Sequence, residues 1–144
     1  MRVAISHVVH AANADHTEDF FRFVAERWGR RVQTRLAFVA PTGGARDRGL
    51  VPPLGTVLPG VVAGLSLARR ERLRVKVVAY CGIPPCLLVP YEDFTEVVRG
   101  IGATNFGDDH TKLPVCDACR YAKRCPGLWT RYLEAHGDPG LAPL

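Results

Sequence analysis

Hydrophobic positions in the first eighty residues fall into alternating short and long runs. Val3, Ile5, Val8 and Val9 make a brief β-branched run that predicts a buried strand over residues 2–9. Asp15, with Glu18 three residues on, has the form of a capping box and predicts a helix start. Phe20, Val24 and Trp28 recur at helical spacing and form its apolar face, widened by Phe21 and Phe23, with Gly29 as the stop. Residues 34–40, centred on Leu36-Ala37-Phe38-Val39, read as a second strand and lead into a turn-rich loop that continues to Pro53. A second helix is expected to start between Leu54 and Val57, with Pro59 in its first turn and Val57, Val61, Leu65 and Ala68 on one face. Residues 73–79 are a third strand. The order β-α-β-α-β implies parallel strands with crossover helices. Three such strands are few for a sheet with two faces and two edges to protect, so an open edge is expected.

The texture changes near residues 80–86. A turn-rich segment there precedes a short strand at residues 87–90, a partly helical stretch at 91–100 and a loop at 102–114. Residues 126–136 read as a final helix with Leu128, Tyr132 and His136 on one side. The expected organisation is therefore one part over residues 1–80 and another over 81–144.

Composition narrows the class. A chain of 144 residues with 47% hydrophobic and 23% charged residues is neither disordered nor low-complexity. No run approaches the ~18 apolar residues of a membrane span, and the first residues lack a signal-peptide core. A cytoplasmic protein without a membrane partner is expected. Net charge is +5, with arginines concentrated at residues 27–35 and 69–76. Arg69, Arg70, Arg72 and Arg74 follow an apolar helix, where cations favour the negative end of the macrodipole. No nucleic-acid module accompanies them, so nucleic acid is not an expected partner.

Five cysteines carry the candidate chemistry. Their spacing is Cys81-x4-Cys86, then 29 residues, then Cys116-x2-Cys119-x5-Cys125. Thiolates are soft ligands for iron or zinc. An iron–sulfide cube takes four of them, and Pro126 after Cys125 matches the Cys-Pro end of ferredoxin-type runs. Zinc competes, although structural zinc sites usually present two tight Cys-x2-Cys knuckles and only one is present. His110 is a further candidate ligand, but in Asp108-Asp109-His110 it reads as a solvated loop residue. A redox pair at Cys116 and Cys119 lacks the strand–motif–helix context of a thioredoxin. Inert reduced thiols are the bland reading.

The segment Gly82-Ile83-Pro84-Pro85-Cys86, followed by Cys116-Asp117-Ala118-Cys119-x5-Cys125-Pro126-Gly127-Leu128-Trp129-x2-Tyr132, resembles the C-terminal region of radical S-adenosylmethionine (radical SAM) enzymes. In that family a twitch or SPASM-like extension follows the barrel. Val3 to His10, then Asn13 and the helix after Asp15, look like a late barrel strand, its loop and its helix. The resemblance implies an α/β fold: a partial parallel (βα) barrel over residues 1–80, then a small cysteine-rich, cluster-binding extension over 81–144. It implies Cys86, Cys116, Cys119 and Cys125 as ligands of an auxiliary 4Fe–4S cluster, with Cys81 as a spare or alternative. It also places Ser6, His7 and Asn13 near a strand's C-terminal end, in contact with S-adenosylmethionine or substrate. The family's catalytic Cys-x3-Cys-x2-Cys is absent, since no cysteine precedes Cys81. The expectation is a truncated or split radical SAM protein, inactive alone. It would be complemented by a separate chain carrying the N-terminal half, or self-associate through its open sheet edge. The alternative is a small interaction protein with a structural zinc held by four cysteines.

Overall fold

The computed structural model describes residues 3–101 and 108–144. Strands β1 (Ala4–Val9), β2 (Gln33–Phe38) and β3 (Arg74–Val77) form a parallel sheet in that order. Ile5 lies beside Thr34, His7 beside Leu36 and Val9 beside Phe38, while Thr34 and Leu36 lie beside Val75 and Val77. Side chains alternate across a strand, so these residues share one face. Helices α1 (Thr17–Arg27) and α3 (Leu54–Arg70) cover it, burying Phe21, Val24, Val57, Val61 and Leu65 completely. The short α2 (Gly43–Asp47) sits in the loop after β2.

Helix α1 starts later than the capping box predicts. Asp15 lies in a 3-10 turn (Ala14–His16), and no side chain caps α1. Thr17 is buried instead, its hydroxyl donating to the Ala14 carbonyl at 3.3 Å. The apolar face turns with it: Thr17, Phe21 and Val24 point inward, while Phe23 is exposed and meets Trp28 edge-on at 5.2 Å. Helix α1 packs close to α3 at Gly64, where a Cβ would stand 2.7 Å from the Phe21 ring. Because α3 begins at Leu54, Pro59 falls beyond the first turn.

The two sheet edges differ. The outer edge of β3 is covered by residues 92–99, which include α4 (Glu96–Arg99). Thr95 bridges Val77, the Glu96 carboxylate accepts from Ala79 N–H at 3.1 Å, and Arg99 Nη1 donates to the Val75 carbonyl at 3.0 Å. The outer edge of β1 has no strand partner among the described residues. The second sheet face is also open, with Ala4, Ser6, Val8, Arg35 and Arg74 exposed.

Beyond β3 the structure departs further from expectation. In place of the strand expected at 87–90, a 3-10 turn (Pro85–Leu87) runs into a further turn over residues 88–90. The loop expected at 102–114 lies partly outside the described residues. Its last part holds β4 (His110–Thr111), which pairs antiparallel with β5 (Leu128–Trp129), so the final helix α5 (Thr130–His136) begins only at Thr130. Leu128, Trp129, Tyr132 and Leu141 join the core of the sheet and its helices.

The expected partial barrel with a cluster-binding extension is therefore corrected. The fold is an α/β unit with a three-stranded parallel sheet, and among the described residues no group of three or more His, Cys, Asp or Glu could hold a metal ion. No described helix is long and apolar enough to cross a membrane.

Candidate functional site

Cys86, Cys116, Cys119 and Cys125 come from loops and turns after β3 and line one small, almost wholly apolar cavity. Its volume is ≈ 20 Å³, enough for about one water molecule. Pro84, Pro85, Leu141 and Lys112 are among the other residues of its wall. Cys116 and Cys119 lie at either end of one turn, with Cys119 N–H donating to the Cys116 carbonyl at 3.0 Å. Backbone N–H groups reach three of the sulfurs: Tyr121 to Cys119 Sγ at 3.4 Å, Gly127 to Cys125 Sγ at 3.5 Å, and Ala142 to Cys86. Gly127 has φ +84°, and a Cβ there would overlap the Thr111 carbonyl. That close approach is what lets its N–H turn to Cys125.

Burial is the largest influence on the partly buried Cys86 and Cys125. It pushes the Cys86 thiol up and the Cys125 thiol up to about 11, against the smaller opposing effect of the N–H donors. All five cysteines are free. Cys81 is not among the residues lining this cavity, and burial raises its pKa, with Asp109 adding to the shift.

The metal expectations are overturned here. The four cysteines line a common cavity, yet among the described residues no three donors stand together as an ion requires. An auxiliary 4Fe–4S cluster, the zinc alternative and the S-adenosylmethionine chemistry tied to them have no support in this arrangement. The residues present do not fit those groups.

Ser6, His7 and Asn13 are not brought together. Ser6 is on the open sheet face, whereas His7 is on the covered face, stacked on Phe20 at 4.4 Å with its Nε2 3.3 Å from Thr17 Oγ1. Burial lowers the His7 pKa, and His10 adds to that. Asn13 closes the turn after β1: its Nδ2 donates to the Val8 carbonyl at 2.9 Å and its Oδ1 accepts from His10 N–H at 2.8 Å.

A second concavity was missed from the sequence. An open cleft of ≈ 670 Å³ lies where the chain leaves β2 and β3, bounded on its other side by β5 and α5. His110, read as a solvated loop residue, has a side chain only 3% exposed. It packs against Trp129 at 4.2 Å and Tyr80 at 4.8 Å, with Nδ1 2.9 Å from Asp109 Oδ1 and Nε2 3.0 Å from the Tyr80 carbonyl. The Tyr80 hydroxyl donates to Asp109 Oδ2 at 2.6 Å and holds that carboxyl below its usual range, against a smaller opposing push from burial. Aromatic residues flanking an Asp-His pair were the available signal, but strands of two residues carry no periodicity that could have placed them.

Compared with known proteins, the chain matches no family, no curated protein and no solved structure, so the resemblance to radical SAM enzymes and its twitch or SPASM-like region is set aside.

Proposed function

We propose that the chain is an association module whose sheet is completed by a second copy pairing along the outer edge of β1. The observation that carries this reading is the contrast between the edges: β3 is covered, whereas β1 has no strand partner among the described residues. Val3 O accepts from Gln33 N–H at 3.1 Å and Val9 O from Val39 N–H at 3.0 Å, so odd-numbered residues of β1 turn towards β2. Alternation leaves the N–H groups of Ala4, Ser6 and Val8 facing outward. The Val8 carbonyl takes the Asn13 amide, while those of Ala4 and Ser6 also face outward. β1 contains no charged residue and no proline, the devices that usually protect an edge. Two copies related by a two-fold axis would pair β1 with β1 antiparallel, giving a self-complementary contact. Arg35 and Arg74 lie on the open face rather than the edge. They would oppose face-to-face stacking but not edge pairing.

Ser6→Pro tests the reading. It removes one outward N–H and leaves the bonds to β2 in place, since proline is tolerated on an edge. Light scattering across a concentration series should give a dimer for the parent chain and a monomer for the variant. A monomeric parent, or a variant that dimerises as well as the parent, overturns the reading.

A second reading is favoured by the convergence of four cysteines on one cavity: Cys86, Cys116, Cys119 and Cys125 act as one set of thiols that oxidise in pairs. With a small-molecule disulfide as oxidant, one S–S bond forms in the chain while the oxidant's bond breaks. The pair gives up two electrons and two protons, and the oxidant leaves as two thiols. Intact mass should fall by about 2 Da per bridge and recover on reduction. Unchanged mass, or iron, sulfide or zinc retained in stoichiometric amount after anaerobic purification, contradicts it.

A further inference from the structure

Helix α1 carries an aromatic residue that the fold leaves uncovered. Phe23 is 56% exposed, more than any other large hydrophobic residue among the described ones. At helical spacing Phe20, Phe23 and Arg27 form one flank of α1. The opposite flank, with Arg22 and Ala25, meets Leu67 and Arg70 of α3. Phe20 stacks on His7 at 4.4 Å, so the uncovered flank lies on the β1 side, next to the outer edge of the sheet. A single exposed aromatic residue is ordinary; its position is what ties this one to a partner.

Ser6 is the middle residue of the three whose N–H groups face outward from β1. A two-fold axis that pairs β1 with its copy therefore passes beside Ser6, perpendicular to the sheet. Both copies of α1 then lie on the same side of the joined sheet and run antiparallel. Helix α1 returns against the direction of β1. Phe23, three residues beyond Phe20, is about 4.5 Å farther along the helix. Ser6, one residue before His7, is about 3.3 Å back along the strand. The two stand at nearly the same level, so Phe23 falls beside the axis. The lateral spacing agrees. Phe20 reaches outward to His7, which places the line of α1 inboard of β1, over the β1–β2 pair. Strands ~4.8 Å apart put it about 5 Å from the two-fold axis and about 10 Å from its copy, the distance at which helices pack. An antiparallel pair centred on Phe23 also sets Asp19 of one copy against Arg27 of the other, on both sides of the axis. Arg27 is exposed and has no salt-bridge partner among the described residues, and Asp19 is 62% exposed beside its bond with Arg22.

We propose that α1 packs against α1 of the second copy, with Phe23 against Phe23 at the two-fold axis and Asp19 paired with Arg27 on either side. This contact rests on the pairing of β1 with β1. It adds what backbone pairing lacks, side chains that recognise their own copy.

Sedimentation equilibrium of the full chain over a concentration series measures the contact. Phe23→Ser should weaken dimerisation by about tenfold or more. Arg27→Glu alone and Asp19→Lys alone should each weaken it by about fivefold, because each turns both charge pairs repulsive. Mixed in equal amounts, these two variants should form a heterodimer about as tight as the parent dimer, since each pair again joins opposite charges. A change within either chain cannot produce that rescue. All three positions are exposed, and an unchanged far-UV circular dichroism spectrum confirms the fold. Ser6→Pro distinguishes the two layers. Dimerisation lost in Ser6→Pro but untouched by Phe23→Ser, or a mixture no tighter than the single variants, overturns the helix contact and leaves the strand pairing standing. A monomeric parent, or a dimer that Ser6→Pro leaves intact, overturns the strand pairing and the helix contact with it.

Discussion

Tyr132→Phe isolates one hydrogen bond that ties the last helix to the sheet layer. Leu54 opens α3, and its N–H is among the orphan donors every helix N-terminus presents. The residue before it is Pro53, which offers no side-chain cap. The Tyr132 hydroxyl fills that role from 78 positions away, accepting from Leu54 N–H at 2.7 Å. Leu54 is fully buried and Tyr132 1% exposed, so water cannot replace the lost acceptor without opening the core. The ring itself is retained in the variant, with its edge-on contact to Phe38 at 5.9 Å. The change therefore leaves packing nearly intact and strands one buried donor, which costs about 1–3 kcal/mol. For a chain of this size that corresponds to a fall of roughly 0.5–1.5 M in the urea midpoint, with an unchanged slope. Equilibrium urea unfolding followed by fluorescence measures it. A midpoint displaced by less than the equivalent of ~0.5 kcal/mol, the spread of ordinary surface substitutions, would refute the capping role.

Thr34 is fully buried in β2 and its hydroxyl has no partner among the described residues, so Thr34→Val should stabilise the fold by about 1–2 kcal/mol, read as a higher thermal midpoint; a lower midpoint would show that the hydroxyl is satisfied. Gly64→Ala should destabilise by about 1–3 kcal/mol through overlap with Phe21. By contrast Gly55→Ala in the same helix, where a Cβ meets nothing within 4 Å, should stabilise by about 0.5–1 kcal/mol. Equal effects at the two glycines in urea unfolding would contradict the close α1–α3 approach. His7 is held neutral by burial, so the unfolded chain binds its proton more readily. Stability should therefore fall as pH drops through the unfolded value of 6.5 and level off only below the lowered folded value. His7→Gln should flatten that part of the pH profile of the urea midpoint, and an unchanged slope would count against it.

The sheet and its two covering helices were legible because their apolar positions repeat with a clear period. Val9, Leu36, Phe38, Val75 and Val77 alternate, and Val57, Val61 and Leu65 recur every fourth residue. The start of α1 was not legible, because the burial of Thr17 and the 3-10 turn at Asp15 follow from tertiary packing that a local capping pattern does not carry. The β4–β5 pair was invisible for a different reason: two residues per strand leave no pattern, and their placement depends on Trp129 and His110 packing against Tyr80. Cysteine spacing marked residues that share a cavity, but spacing does not fix how sulfurs are aimed. Four cysteines surround that cavity, and among the described residues no three donors form a metal-holding group. Ser6 and His7 show the same limit on a smaller scale, since neighbours in a strand occupy opposite faces.

The account rests on the outer edge of β1, which has no strand partner among the described residues, and amide hydrogen exchange reads that edge directly. In an isolated chain the outward N–H groups of Ala4, Ser6 and Val8 exchange rapidly, whereas those of Ile5, His7 and Val9 are protected by β2. If a second copy completes the sheet, protection at Ala4, Ser6 and Val8 rises with protein concentration, and Ser6→Pro abolishes the rise at Ala4 and Val8. Fast, concentration-independent exchange at all three positions would contradict the central claim.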